Sequence, residues 1–431
     1  MKKIFAKFIG LFAKAVINKY RPIIIGITGS VGKTTTKEMI STVLSSQFDI
    51  RKNVKNYNNE LGLPLTIFGL ESPGSSVFGW LKVLKTALNL IIKKQDYPKV
   101  LVLEMGADHS GDIEYLLKIA PVDVGVLTTI GEAHIEFFKT KEDILKEKQK
   151  IVFAPSLKRA VINLDDELIA GLEDRIKANL TTYGLNSESM VRASELSISG
   201  LDGIFVDDED IFSRNWGMSF KIHYDGSAVP FFLPKILGIP GVESALVAVA
   251  VGLHMGMNLI EISQALKEHQ VTKGRLNLIA GKKQSLIIDD TYNASPRALE
   301  AALASISFLN IYPDKTLVLG SMLELGREAD EYHYQAGFNI GKAGINKLVA
   351  VGQYSSEIVS GYLKAGGKKE NTFVYENSID ASEAISGIIT EGSCVLVKGS
   401  QGSRMEYVVK ALMLNPDLSE EKLVRQSGEW I

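Results

Sequence analysis

The sequence predicts an α/β protein of two domains: a P-loop ATPase domain on a mostly parallel sheet with a small antiparallel insertion, then a smaller Rossmann-like α/β domain. Three observations carry this. Apolar, β-rich runs alternate with helical patterns along most of the 431 residues, as expected where helical crossovers join parallel strands. A glycine-rich turn follows the first such run and opens a helix. The chain is also too long for a single ordinary core.

The elements follow in order. Residues 1–22 are basic and apolar with no acidic residue, and Lys3, Lys7, Lys14 and Arg21 recur at helical spacing. They resemble a signal sequence only superficially, because no small-residue cleavage site precedes Ile23-Ile24-Ile25. Phe78 to Lys94 repeats the design, with Lys82, Lys85, Asn89 and Lys93 in one stripe backed by Trp80, Leu81, Leu84 and Leu88. Such amphipathic helices either pack on the protein with their lysines in water or lie in a membrane interface, and both readings are open. Neither segment reaches the ~20 uninterrupted apolar residues of a spanning helix.

Strands are expected at Ile23–Ile27, Val100–Glu104, Val124–Thr128, Ala160–Asn163, Ser285–Asp289, Thr316–Leu319, Lys347–Val351 and Ser393–Val397. Helices are expected between them, among others at Lys33–Ser45, Lys141–Phe153, Val242–His254, Pro296–Leu309 and Tyr334–Ala343. Leu180 to Pro234 breaks the rhythm with short alternating segments and the acidic turn Asp207–Asp210, and reads as the antiparallel insertion. A turn at Val271–Arg275 divides an ATPase domain, residues 23–272, from a second domain, residues 273–431.

Composition narrows the class. Hydrophobic residues make up 45% and charged residues 23%, the proportions of a soluble globular protein. A net charge of −2 argues against a general nucleic-acid binder. Cys394 is the single cysteine, which excludes a disulfide framework and a cysteine-built zinc site and fits a cytoplasmic protein.

Ile23 to Lys37 reads as a buried strand, a glycine turn and a helix opening with Lys33-Thr34-Thr35. Gly29, Ser30 and Gly32 let backbone N–H groups converge on phosphate oxygens, and the helix N-terminus adds partial positive charge. Lys33 would reach the outer phosphates of ATP and the Thr34 hydroxyl would ligate Mg²⁺. The strict phosphate-loop pattern fails by one place, since Ile27 stands where the first glycine belongs.

From this loop onward the chain resembles the Mur ligases, in particular the type that adds D-alanyl-D-alanine to a UDP-muramoyl-tripeptide. The resemblance rests on Thr28–Thr34, on Asn56–Asn59 followed by Gly62–Thr66, and on Glu104–Ala107 followed by Gly111–Ile113. It continues through Ile130–Glu136, Lys146–Lys148, Asp289–Pro296, Leu319–Gly326 with His333, and Lys398–Ser400 with Arg404–Glu406. It implies an ATP-dependent ligase that turns a carboxylate into an acyl phosphate for attack by an amine. Two Mg²⁺ ions are implied, one at Thr34 and one at Glu104 and His134, together with a carbamylated lysine. Lys148 is the choice by alignment, with Lys146 and Lys150 as alternatives. Asn58, Asn59, Asp290, Tyr292 and Asn293 would contact ATP, metal waters or substrate near the domain interface. Arg275 would reach the γ-phosphate, a role suited to guanidinium. Lys398, Arg404 and Glu406 would line the amine substrate's side.

The match has departures. Family members usually open with a small domain that holds the uridine nucleotide, whereas here the P-loop follows only the basic helix, so that domain is expected to be missing. Pro240, Ser244, Ser321 and Gln401 stand where the family usually has His, Asn, Asp and Arg. The substrates implied are a small peptide and a nucleotide-sugar peptide, and the protein is expected to be a monomer, cytoplasmic or membrane-peripheral. Alternatives are a ligase of the same chemistry with another acceptor, and a non-catalytic ATP-binding subunit, against which Lys33, Glu104 and His134 are all present.

Overall fold

The computed structural model describes residues 2–54, 57–201 and 215–426. Asn56 and the acidic turn Asp207–Asp210 lie outside the described residues, as does the side chain of Lys3. The first sheet comprises β1 (Ile23–Thr28), β2 (Ile50–Lys52), β3 (Val100–Glu104), β4 (Val124–Leu127), β5 (Arg159–Asn163), β6 (Asn179–Gly184), β7 (Val191–Ser199), β8 (Gly217–Tyr224) and β9 (Ser227–Pro234). Its order is β2-β3-β1-β4-β5-β6-β7-β8-β9, parallel as far as β7 and antiparallel from β7 to β9.

Every residue of β3 and β4 is buried, because a parallel strand is covered on both faces and its sequence is a continuous apolar run. Alternate side chains feed two separate cores. Ile25, Ile27, Val100 and Val102 pack with helices Lys33–Ser45 and Ile239–His254, while Ile24, Leu101 and Leu103 pack with helices Lys2–Tyr20 and Gly62–Phe68. Helix Ile239–His254 is buried from Gly241 to Gly252 except at Glu243, so it runs through the domain as a core helix.

The antiparallel part differs from the expected insertion. Leu180–Gly184 belongs to the parallel strand β6, and β7–β9 extend the main sheet through the pairing of Tyr183 with Val191. The short connection from Gly184 to Val191 keeps β6 and β7 adjacent in one layer.

The second sheet comprises β10 (Asn277–Ala280), β11 (Leu286–Asp290), β12 (Lys315–Gly320), β13 (Lys347–Val351), β14 (Thr372–Tyr375) and β15 (Cys394–Lys398), in the order β10-β11-β15-β12-β13-β14. All its pairs are parallel except β10 with β11. Short β2, β10 and β14 carry no long apolar run, which is why sequence patterning does not single them out. The C-terminal ends of β1, β3 and β4 stand side by side, with Ile27 opposite Glu104 and Thr28 opposite Leu127. Ligands of open α/β sheets collect at such an edge.

Candidate active site

The loop after β1 is held from behind. Thr128 Oγ1 donates to Val31 O at 2.7 Å, Ser30 N donates to Thr129 O at 2.7 Å, and the Ser30 hydroxyl bridges Gly131 O and N at 3.0 Å each. Gly29 has φ 151° and Gly32 φ 87°, conformations open to glycine, and Gly32 caps helix Lys33–Ser45. Lys33 folds back over the loop, its Nζ donating to Gly29 O at 2.7 Å and Ser30 O at 3.2 Å. Burial lowers its pKa, and phosphate oxygens beside it would favour the charged form. Thr34 Oγ1 donates to Glu104 Oε2 at 3.0 Å. Thr35 sits in the same first turn, half-buried.

Glu104 ends β3 almost fully buried. Asn58 Nδ2 donates to its other oxygen at 3.0 Å, and Asn53 Oδ1 accepts from its backbone N–H at 2.6 Å. Asn59 acts differently: its Oδ1 accepts from Leu61 N and Gly62 N at 3.3 and 2.9 Å, turning the chain into helix Gly62–Phe68. A cavity of about 130 Å³ opens beside Glu104, lined by Lys33, Asn58, Asp108, Asp112, His134 and Lys148 among others.

The three candidate lysines separate cleanly. Lys146 is exposed and paired with Asp143 at 3.3 Å. Lys150 is paired at 2.6 Å with Glu147, whose oxygens also accept from Gly111 N and Ile113 N. Lys148 alone faces the cavity, 1% exposed, with no carboxylate in salt-bridge range among the described residues. Burial, and next to it the charge of Lys33, pushes its pKa down to about 7. A neutral amine able to add CO₂ is therefore available near neutrality.

His134 has φ 63° and caps the short helix Ile135–Phe138. Its Nδ1 lies 2.6 Å from Glu324 Oε2 of the second domain, off the direction of a linear hydrogen bond, and its Nε2 lies 3.5 Å from Asp108 Oδ1. Glu324, also at positive φ (63°), accepts Glu136 N at its backbone oxygen at 3.2 Å. The imidazole thus stands between two carboxylates, Asp108 of the first domain and Glu324 of the second. Glu324→Gln is expected to lower kcat about 10- to 100-fold, as loss of an orienting carboxylate does. ATP affinity, measured separately by calorimetry, should stay unchanged.

The second domain brings its loop after β11 to the same cleft. Arg275 stacks 4.1 Å over the Tyr292 ring with its Nε buried and unpartnered, and its charge is felt at Lys33 and Lys398. Asp290 Oδ2 pairs with Lys398 Nζ at 2.6 Å, and Lys398 also donates to Asn293 O at 2.9 Å. Both partners are buried. Lys398→Met is expected to cost about 3–5 kcal/mol in denaturant unfolding, since it strands the Asp290 carboxylate. Adding Asp290→Leu to that variant should recover most of the loss.

Two residues expected on the amine substrate's side do not open on it. Lys398 is closed off by its pair, and Glu406 is fully buried between Arg404 Nε at 2.5 Å and Arg425 Nη2 at 2.9 Å. Their charges are spent on neighbours because an unpaired buried charge is costly. Arg404 remains half-exposed, stacked on Tyr407. Arg425, unmarked in the sequence by any pattern, also donates to Tyr292 O and Thr291 O at 3.1 and 2.5 Å, tying the loop after β11 to the segment that follows helix Ser419–Lys422. His333 is structural: its Nε2 accepts from Met322 N at 2.9 Å and its ring stacks on Tyr354.

Behind the P-loop a cavity of about 280 Å³ runs between Gly32, Thr129, Tyr183, Pro240, Glu243 and Arg297. Ser244 is turned inward, its hydroxyl 3.3 Å from Thr36 Oγ1 and 2.9 Å from Pro240 O. Glu243 is the one acidic residue of an apolar helix, and that isolation was a readable signal of a site. Burial, then Asp165, pushes its carboxyl up to about 7. With the folded pKa above the ordinary 4.5, the group favours the fold when protonated; that contribution is full below about pH 4.5 and lost as pH rises through about 7. Glu243→Gln should flatten the fall in Tm over this window, measured by melts at a series of pH values.

Comparison with known proteins completes the picture. The Mur ligase middle domain model matches residues 27–252, and the model described as Mur ligase, glutamate ligase domain matches residues 274–401. The chain belongs to the Mur ligase family. This Mur ligase is 31% identical over 404 residues to the UDP-N-acetylmuramoyl-tripeptide–D-alanyl-D-alanine ligase of Bacillus subtilis, covering 94% of this chain and 79% of that one. The crystal structure of MurF from Acinetobacter baumannii superposes with a TM-score of 0.76 at 26% identity, covering 94% and 79%. MurF from Thermotoga maritima in complex with ADP shares the fold, with a TM-score of 0.74 at 24% identity over 94% and 83%.

Proposed function

We propose that this Mur ligase joins D-alanyl-D-alanine, or a closely similar dipeptide, to the carboxylate of a UDP-muramoyl-tripeptide at the expense of ATP, as a cytoplasmic monomer with domains at residues 23–272 and 273–431. One observation carries the reading: the P-loop Lys33 lines one cavity with His134 and the buried amine of Lys148, while Thr34 beside it donates to Glu104.

The donor set suits Mg²⁺. A threonine hydroxyl and a carboxylate 3.0 Å apart are hard oxygen ligands at the P-loop. Among the described residues no group of three His, Cys, Asp or Glu is placed to hold a metal ion, so a second ion would need an oxygen from elsewhere. Lys148 as a carbamate would supply one beside Glu104 and His134. Bound there, Mg²⁺ would neutralise charge on the γ-phosphoryl group and on the substrate carboxylate.

The chain's own groups do the rest by placement. Lys33 holds the outer phosphates, and Arg275 approaches from the second domain. A carboxylate oxygen of the acceptor attacks the γ-phosphorus; the bond to the β,γ-bridging oxygen breaks and ADP leaves. The dipeptide's amine nitrogen then attacks the acyl carbon, phosphate departs with the C–O bond electrons, and the amine loses a proton. Asn58 keeps Glu104 oriented throughout.

The test is phosphate release with ATP, Mg²⁺, D-Ala-D-Ala and UDP-MurNAc-tripeptide, beside a Lys33→Ala control. Acceptor-dependent release with a product carrying the dipeptide, lost in the control, is the expected result. ATP binding without acceptor-dependent release would overturn this acceptor assignment.

A further inference from the structure

We propose that the paired helices Lys2–Tyr20 and Val77–Ile92 form a docking face for an anionic lipid bilayer. The two run side by side in the same direction. At one end Phe5 meets Trp80 edge-on at 4.9 Å, and at the other Lys19 Nζ donates to Leu90 O and Ile91 O at 2.8 and 2.9 Å. Their inner faces are buried in the ATPase domain, through Ile9, Ala13 and Val16 on one helix and Val83, Ala87 and Leu90 on the other. Packing on the protein therefore accounts for the inner faces alone.

The outer faces are unusual. Leu11 is 66% exposed, Phe78 85% and Ile92 75%, with Phe8, Val77 and Leu81 also in water. Between them stand the exposed lysines Lys7, Lys14, Lys82 and Lys85, and Lys93 and Lys94 follow at the end. Neither helix contains an acidic residue. No helix among the described residues is long and apolar enough to cross a membrane.

Apolar side chains with interspersed lysines on two coplanar helices match an interface that offers hydrocarbon just beneath negative headgroups. Lysine stems can lie along the apolar surface while their ammonium groups reach phosphates. A second copy of this chain is disfavoured as occupant, since like lysines would face each other. The face also adjoins the chemistry: Gly10 packs against Ile119 and Tyr115 of helix Asp112–Ile119, and Tyr115 lines the cavity of Lys148.

Co-sedimentation of the full chain with vesicles of phosphatidylcholine alone, or containing phosphatidylglycerol, tests this. Expected is binding to the phosphatidylglycerol vesicles that weakens with salt and is lost in two variants, Phe78→Glu/Leu81→Glu and Lys82→Glu/Lys85→Glu. Each lysine lost should weaken partition about fivefold. Solution phosphate release and thermal melts of both variants should match the parent, which separates this result from failure of the ligase assignment or of folding. Equal sedimentation with both vesicle types, binding unaltered by the variants, or a dimer on gel filtration that the variants dissociate would each overturn the proposal.

Discussion

Replacing Lys148 by alanine is expected to lower acceptor-dependent phosphate release by about 100- to 1,000-fold, the effect of removing one preorganised group that meets developing charge. The position allows little else. Its side chain is 1% exposed on a cavity wall with Lys33, Asn58 and His134, and among the described residues no carboxylate lies within salt-bridge range of it; burial outweighs the pull of Asp108, Glu147 and Asp112. A neutral amine reacts with CO₂ and an ammonium ion does not. With the pKa near 7, the capacity to form the carbamate is present above that pH and declines as pH falls through it. Parent enzyme supplied with carbon-13-labelled bicarbonate should show a carbamate resonance that weakens below about pH 7 and is missing from Lys148→Ala. Acetate or formate should restore part of the variant's activity. Full activity in the variant, or the labelled signal persisting in it, would remove Lys148 from the site.

The second large effect is expected at Gly29. Alanine there would need a φ of 151°, and its Cβ would overlap Thr128 Oγ1, which is fixed by its bond to Val31 O. Backbone strain of about 1–3 kcal/mol and a comparable packing penalty fall on the turn that must wrap phosphate. Together they predict roughly 1,000-fold weaker ATP binding by calorimetry. Unfolding should change far less, since the loop can relax at the expense of its phosphate-binding shape. Nucleotide affinity equal to that of the parent would show that the loop does not cradle phosphate in this way.

These two positions differ in how legible they were. Gly29, Gly32, Lys33 and Thr34 lie within six residues of each other, so sequence spacing alone implies their convergence. The buried parallel strands were equally plain, because two covered faces impose long apolar runs. Lys148 could not be separated from Lys146 and Lys150 by spacing. What sets them apart is the turn of helix Lys141–Lys148, which buries Ile144, Glu147 and Lys148 and leaves Lys146 in water. Contacts between distant segments left no local mark. Glu324 meets His134 from another domain, and Arg425 reaches Glu406 and Thr291 from a polar tail. Glu406 shows a related limit: sequence shows that a charge exists but not that two arginines already pair with it.

That last cluster bears on how the molecule comes into being. Arg425 stands 134 positions after Thr291, yet it clasps the carbonyls of Thr291 and Tyr292. During synthesis the phosphate loop is made early and can fold with the first sheet. The loop after β11 in the second domain has to wait for Arg425 to leave the ribosome. A nascent chain should therefore bind nucleotide well before it can turn it over. Replacing Arg425 by alanine in the finished protein should return it to that unfinished condition.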